Sequence, residues 1–224
     1  MGCALKGGGG LYSRLTVGAV LLAAGAGERM GRRPKCMLQL GGVPIIRRML
    51  IAMSGAGVDE VVVVLGHHAE VVEPAVMDFP VTVVHNPAPD DGIMSSQRIG
   101  LAALSRRYDA VLMALADQPL IGADDITALI RAWKQRPEGV GVVFPQVAGQ
   151  KGNPVLVSAD VRDQILADGA NVGCRQWREW HPELVMPFVT DCRRYCIDVD
   201  TPEDVERFSN ETGHALRWPT ELAV

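Results

Sequence analysis

Short apolar runs alternate along the chain with longer stretches of helical period. VGAVLLAA (17–24), DEVVVVLG (59–66), VTVVH (81–85), DAVLMALAD (109–117) and VGVVFP (140–145) carry continuous Val and Leu, which predicts strands covered on both faces. Between them, PIIRRMLIAMSGAG (44–57), residues 68–78, SSQRIGLAALSRR (95–107) and ADDITALIRAWKQR (123–136) read as helices, with Pro44 suited to a first helical position and Ser95 to a cap. In DVDTPEDVERF (198–208), Thr201 is the expected N-cap, Pro202 the first helical residue and Asp204 the third, so Asp198 and Asp200 sit where a strand is expected to turn into a helix. This βαβα order predicts a single-domain α/β fold, a doubly wound, mostly parallel sheet with helices on both faces. One domain is expected over 17–209, between a flexible Gly-rich extension (1–16) and a tail (210–224) whose Trp218 and Leu222 are candidates to dock on the domain or a partner.

A chain of 224 residues is long enough for one sizeable core, and 48% hydrophobic with 21% charged residues is ordinary globular composition. The net charge of -4 offers no general attraction to nucleic acid or anionic membranes, so neither is expected as a partner. Five cysteines, Cys3, Cys36, Cys174, Cys192 and Cys196, lack CxxC spacing, which indicates neither a disulfide framework nor a zinc site and fits a cytoplasmic setting. The apolar run at 17–24 has the look of a signal-peptide core, but cleavage after it would remove part of the glycine-rich segment that follows; a buried first strand is the expectation.

That segment, LAAGAGERMGRRPK (22–35), places Gly25, Gly27 and Gly31 after a strand, where backbone N–H groups can approach phosphate oxygens. Met30 occupies the third glycine position of a dinucleotide fingerprint, and Arg32 follows Gly31 where a P-loop needs Lys. What remains is a loop that wraps a nucleotide while Arg29 and Lys35 neutralise its polyphosphate; the alternative is a glycine turn with solvated charges.

The same segment resembles the signature of the MobA-like nucleotidyltransferases, enzymes that attach GMP or CMP to molybdopterin. Further matches follow in family order: Asn86-Pro87, GIMSSQRIGL (92–101), LADQP (115–119), GNPVL (152–156), NVGCR (171–175) and DVDTPED (198–204). LAAG, MSS and GNPV together resemble the molybdopterin cytidylyltransferase branch. Asn171 stands where that branch usually has Asp and Cys174 where it often has Ala, both on the acceptor side.

The resemblance implies a Rossmann-like nucleotidyltransferase fold and Mg²⁺-dependent transfer of CMP from CTP to molybdopterin or the molybdenum cofactor, with a molybdenum hydroxylase apoenzyme as a further partner. Asp117, at the end of a strand, and Asp200 are the expected Mg²⁺ ligands, with Asp198 a second candidate on that turn. Lys35, Arg29 and Asp117 form the expected catalytic set. Leu22, Ala23, Ala24, Gly25, Gly27, Lys35, Asn86 and Ser96 are expected at the nucleotide, and Gly152, Asn153 and Arg175 at the acceptor. His67 and His68 are adjacent, so they do not share one element's face, and a loop role is expected. A GTP-dependent enzyme, a sugar- or polyol-phosphate nucleotidyltransferase and a non-catalytic cofactor chaperone are the alternatives.

Overall fold

The structure, a computed structural model, describes residues 14–168 and 172–223. In chain order the main sheet is supplied by β1 (Val17–Ala23), β4 (Glu60–Leu65), β5 (Thr82–His85), β6 (Ala110–Leu115), β7 (Val142–Val147), β8 (Gln150–Lys151), β9 (Val155–Ser158) and β10 (Val185–Val189). A second sheet comprises β2 (Gln39–Leu40), β3 (Val43–Pro44) and β11 (Leu216–Arg217). The helices are α1 (Ile45–Gly55), α2 (Ala69–Val72), α3 (Ile93–Ala103), α4 (Ala123–Lys134), α5 (Ala159–Ala167), α6 (Cys174–Trp180) and α7 (Pro202–Thr212).

Among the described residues the main sheet is eight-stranded, ordered β10-β7-β9-β6-β1-β4-β5 with β8 paired to β7. β1 pairs in parallel with β4 on one side and β6 on the other, while β9 runs antiparallel between β6 and β7. Side chains alternate across the pleat, so Ala19 and Leu21 join one buried cluster with α1 and α4, and Val20 and Leu22 join another with α3, α5 and α6. The doubly wound α/β expectation therefore holds, helices on both faces included. The chain winds from β1 out to β5 and then returns to β6, so the crevice between the carboxyl ends of β1 and β6 is the place where such sheets bind ligands.

Local readings needed correction where turn chemistry competed with periodicity. Pro44 is not the first helical residue; it ends β3 at φ -54°, ψ 142° and precedes α1 as its cap. The helix expected at 68–78 is one turn, Ala69–Val72, followed by a 3-10 turn Glu73–Ala75 that contains Pro74. α3 begins two residues before Ser95 and is capped by Gly92, so Ser95 is not its cap. Thr201 caps α7 as expected, accepting a hydrogen bond from Asp204 N–H, but a 3-10 turn (Arg193–Cys196) and irregular chain, not a strand, lead into it. α7 continues to Thr212, and Arg14 and Thr16 are tied to Asp59 and Asp109. Cys36, Cys174, Cys192 and Cys196 are free thiols, whereas Cys3 and Asn171 lie outside the described residues. None of the helices among the described residues is long and apolar enough to cross a membrane.

α3 lies close on the sheet because Gly100 faces it. A methyl group there would overlap Val20 Cγ1 and stand 2.8 Å from Val64 Cγ2. Overpacking of this kind costs about 1–3 kcal/mol, at the upper end here, against the ~1 kcal/mol that alanine gains over glycine in a helix. Gly100→Ala is therefore expected to lower the unfolding free energy by about 1–2 kcal/mol in urea titration.

Candidate active site

The glycine loop starts where β1 ends. Gly27 (φ 64°) and Gly31 (φ 68°) take left-handed conformations, and Arg32 shares that region at φ 57°, unusual for a residue with a side chain. Gly27 O accepts hydrogen bonds from Met30 N–H (2.8 Å) and Arg32 N–H (2.9 Å), which closes the turn before Lys35. Behind the loop, Gly66 approaches so closely that a Cβ there would stand 2.6 Å from Ala24 O, and His68 Nε2 lies 2.9 Å from Ala26 O. His67 Nε2 lies 3.1 Å from Asp90 Oδ1, so the two histidines are engaged in loop contacts on different partners.

Lys35 reaches across the crevice to both acids expected there. Its Nζ donates to Asp117 Oδ2 at 2.5 Å and to Asp200 Oδ1, and Arg29 donates to Asp200 Oδ2 at 3.1 Å. Asp117 stands two residues past β6, and its carbonyl accepts from Val199 N–H (3.1 Å), which ties the 198–200 turn to the end of the sheet. Burial alone would lower the Lys35 pKa, but the Asp117 and Asp200 carboxylates outweigh it and hold the ammonium above its usual 10.5. For Asp200, burial pushes upward while Lys35 and then Arg29 prevail, leaving it below 3.8. Asp198 is shifted the other way, raised by burial and by the charges of Asp117 and Asp200. Two carboxylates thus share one ammonium, with Asp198 near enough to feel both of their charges.

A cavity of about 270 Å³ opens beside this cluster. Leu22 to Gly25 and Pro34 to Cys36 form one wall, Leu115 to Asp117 another, and Pro89, Gly92, Ile93 and Ser96 the rim. Burial, with the Asp117 charge, pushes the Cys36 thiol up to about 12, so it serves as an apolar wall rather than a nucleophile. Of the remaining expected residues, Asn86 is buried with its amide already engaged: Nδ2 donates to Ser95 Oγ (2.7 Å) and Ser96 Oγ (2.9 Å), and Oδ1 accepts from Ala88 N–H. It shapes the rim from behind, and only Ser96 of the pair lines the space. Gly152 packs against the Tyr195 backbone, and Gln118, buried beside Asp117, donates to Asn153 O (3.3 Å) and Tyr195 O (3.1 Å). The Arg175 side chain is 81% exposed and paired with Glu179, away from the cavity lining.

Several lining residues were not singled out from sequence: Pro34, Cys36, Pro89, Gly92, Ile93, Leu115 and Ala116. Gly92 (φ 87°) and Pro89 were available as turn signals in PAPDDG; Ile93, 54% exposed at the mouth, was marked only by its place in GIMSSQRIGL.

The acids fit a hard divalent cation by chemistry. Asp117 Oδ1 is buried with no hydrogen-bond partner among the described residues, an acceptor left for a positive ligand. Among the described residues no three His, Cys, Asp or Glu side chains already converge on a metal position, and Lys35 supplies the positive charge instead.

A glycine loop, a lysine, a strand-end carboxylate and a second carboxylate from the turn before α7, around a switch-point cavity, define a nucleotide-binding α/β enzyme. The chain belongs to the MobA-like NTP transferase family, whose domain model matches residues 19–184, and it is an enzyme of the nucleotidyltransferase type. It is 31% identical to the nicotine blue oxidoreductase of Paenarthrobacter nicotinovorans over 201 residues, 85% of this chain and 92% of that one. It is also 31% identical to the bifunctional protein GlmU of Brucella anthropi, but over 56% of this chain and only 27% of that relative. Among solved structures, a nucleotidyl transferase from Methanothermobacter superposes with a TM-score of 0.70 at 27% identity, covering 88% of this chain and 97% of that one.

The charge cluster generates a pH-dependent test. Asp200 is depressed in the folded state, so its stabilisation is present above 3.8 and lost as pH falls through the lower folded value. In Lys35→Met, Asp200 faces Asp117 without the ammonium that holds it down, its folded value rises, and its protonation relieves the variant instead. The stability gap between Lys35→Met and wild type is expected to narrow as pH falls from about 7 to about 3, read from urea midpoints.

Proposed function

We propose that the protein transfers CMP from CTP to the phosphate of a molybdopterin-type acceptor, with release of pyrophosphate. The observation that carries this reading is the Lys35 ammonium held between Asp117 and Asp200 beside the glycine loop. Attack of one phosphate on another is opposed by the mutual repulsion of anions, and this cluster is the chemistry such a reaction needs. The cavity accepts the nucleoside, and the loop amides, Arg29 and Lys35 meet the triphosphate. Lys35 is most useful where charge grows on the leaving pyrophosphate as the bond between the α- and β-phosphates breaks. The acceptor monoester, with a second pKa near about 6, is already largely dianionic at neutral pH and needs little proton removal. Asp117 and Asp200 are the residues to hold Mg²⁺, which when bound would screen the triphosphate and polarise the α-phosphate.

The choice of a pyrimidine is supported by Ala24, a cavity wall residue whose carbonyl and methyl both pack closely on Gly66. For the acceptor, Asn153 lies one hydrogen bond from Gln118, next to Asp117, with Gly152 preceding it in the chain, and the exposed Arg175 fork is assigned to the acceptor's outer phosphate contact. A molybdenum hydroxylase apoenzyme is the partner that would receive the product, in the cytoplasm.

The deciding experiment is incubation with Mg²⁺, labelled CTP and metal-loaded molybdopterin, with product identified by mass. A CMP adduct with stoichiometric pyrophosphate is expected. Intact CTP would overturn the reading, in favour of a cofactor carrier if the acceptor binds unchanged or of a redox reaction like that named for the Paenarthrobacter relative if the acceptor is oxidised or reduced. An adduct on sugar or polyol phosphates alone would replace the acceptor.

Asp117→Asn and Asp200→Asn are expected to abolish turnover with circular dichroism unchanged, and Lys35→Ala to lose about 10²–10³ in rate. In competition the enzyme should prefer CTP over GTP by roughly 10–200-fold, and Ala24→Gly should narrow that margin.

A further inference from the structure

The glycine loop is fastened by a part of the chain far from it in sequence. Met30, buried in the loop's 3-10 turn, packs in an apolar cluster with Leu40, Val199, Phe208 and Leu216, separate from the two clusters that sandwich the main sheet. β11 brings the segment after α7 alongside, pairing Leu216 with Leu40 and Arg217 with Gln39. Beyond it, the Trp218 ring lies 4.3 Å from the Arg33 guanidinium carbon, and Leu222 O accepts from Arg33 NH1 at 3.3 Å. Arg33 turns this grip inward: its Nε donates to Met30 O at 3.0 Å, and its carbonyl stands where a Cβ on Gly27 would be. Arg32, between them, is held at φ 57°, a conformation that persists only where its surroundings impose it.

We propose that residues 214–223 are a strap that sets the phosphate-facing conformation of the Gly25–Lys35 loop, with Arg33 as the positioning residue and Trp218 as its clamp. This rests on the nucleotide-binding reading of the loop. Neither side chain lines the cavity, so both act through the loop backbone and through the placement of Arg29 and Lys35. Their effect therefore falls on nucleotide affinity.

Hydrogen exchange and calorimetric titration with CTP and Mg²⁺, on wild type, Trp218→Ala, Trp218→Phe and Arg33→Lys, test this. A cation on a partly buried aromatic face is worth enough that Trp218→Ala should speed exchange of the 26–33 amides, and weaken CTP binding, by about three- to thirtyfold. The amides of β1 and β6 should exchange as in wild type, KM should rise with kcat retained, and Trp218→Phe should recover most of the loss. Arg33→Lys keeps the charge but not the planar stack, and should behave like Trp218→Ala even if that variant folds poorly. Unchanged loop exchange in Trp218→Ala and Arg33→Lys would overturn the strap, as would equal acceleration of loop and sheet. If wild type binds no CTP, the nucleotide reading falls, and loop against sheet exchange still decides whether the strap holds the loop.

Discussion

One ammonium joins three distant parts of the chain. Lys35 comes from the loop after β1, Asp117 from the end of β6 and Asp200 from the turn before α7, separated from Lys35 by 82 and 165 residues. All three side chains are largely withdrawn from water, at 27%, 11% and 31% exposure, so each charge would be costly to leave alone there. The lysine favours both carboxylates in their positions, and they favour it in its own. The cluster is thus set up for exchange: a ligand bringing phosphate to Lys35 and positive charge to the acids could replace each partner with another of the same sign.

The sheet accounts for only one corner of this arrangement. Asp117 follows β6, whose residues Ala110 to Met113 pair on both sides, with β1 and with β9. The Asp200 corner hangs on the smaller cluster around Met30, Val199 and Phe208, and on the staple in which Arg194 forks onto Asp125 at 2.9 and 2.6 Å just before the 198–200 turn, while the Lys35 corner lies between that cluster and the main core, which buries Cys36. One backbone bond, from Val199 N–H to Asp117 O, links the two systems directly.

What could be read from sequence follows the same division. β1, β4, β6 and β7 were legible because a strand buried on both faces must be continuously apolar, as DEVVVVLG is, and the α7 cap because Thr201, Pro202 and Asp204 each have one local job; β5 was found although it is not covered as expected, and the parallel strand β10 was not read. β9 was not read as a strand: it spans four residues, Val155–Ser158, and is placed by pairing with β6 and β7, which no local pattern encodes. The two-residue strands of the small sheet are below any periodicity, and the only sequence hint of their contacts was the apolar pair Trp218 and Leu222 in the tail. At the site, Asp117 was legible as the end of a strand, whereas Lys35 and Asp200 came from motif order, the strand expected ahead of Asp200 being absent. The state of Asn86 was not, because whether an amide faces a ligand or its own neighbours depends on Ser95 and Ser96 lying within bonding reach.

This separation has a consequence for motion. Opening a small cluster exposes far less apolar surface than opening the core around β1, and regions with fewer buried contacts open at lower free energy. The Met30 cluster therefore has the lower cost of opening, and it holds the Arg29 and Asp200 segments, whereas Lys35 is also anchored through its neighbour Cys36 to the core around β1. Ligand entry into the crevice requires the loop to admit a bulky anion, and product departure requires the new charge pairs to break. A site whose Arg29 and second carboxylate are fastened apart from the sheet is suited to both needs without disturbing the strands that define the crevice.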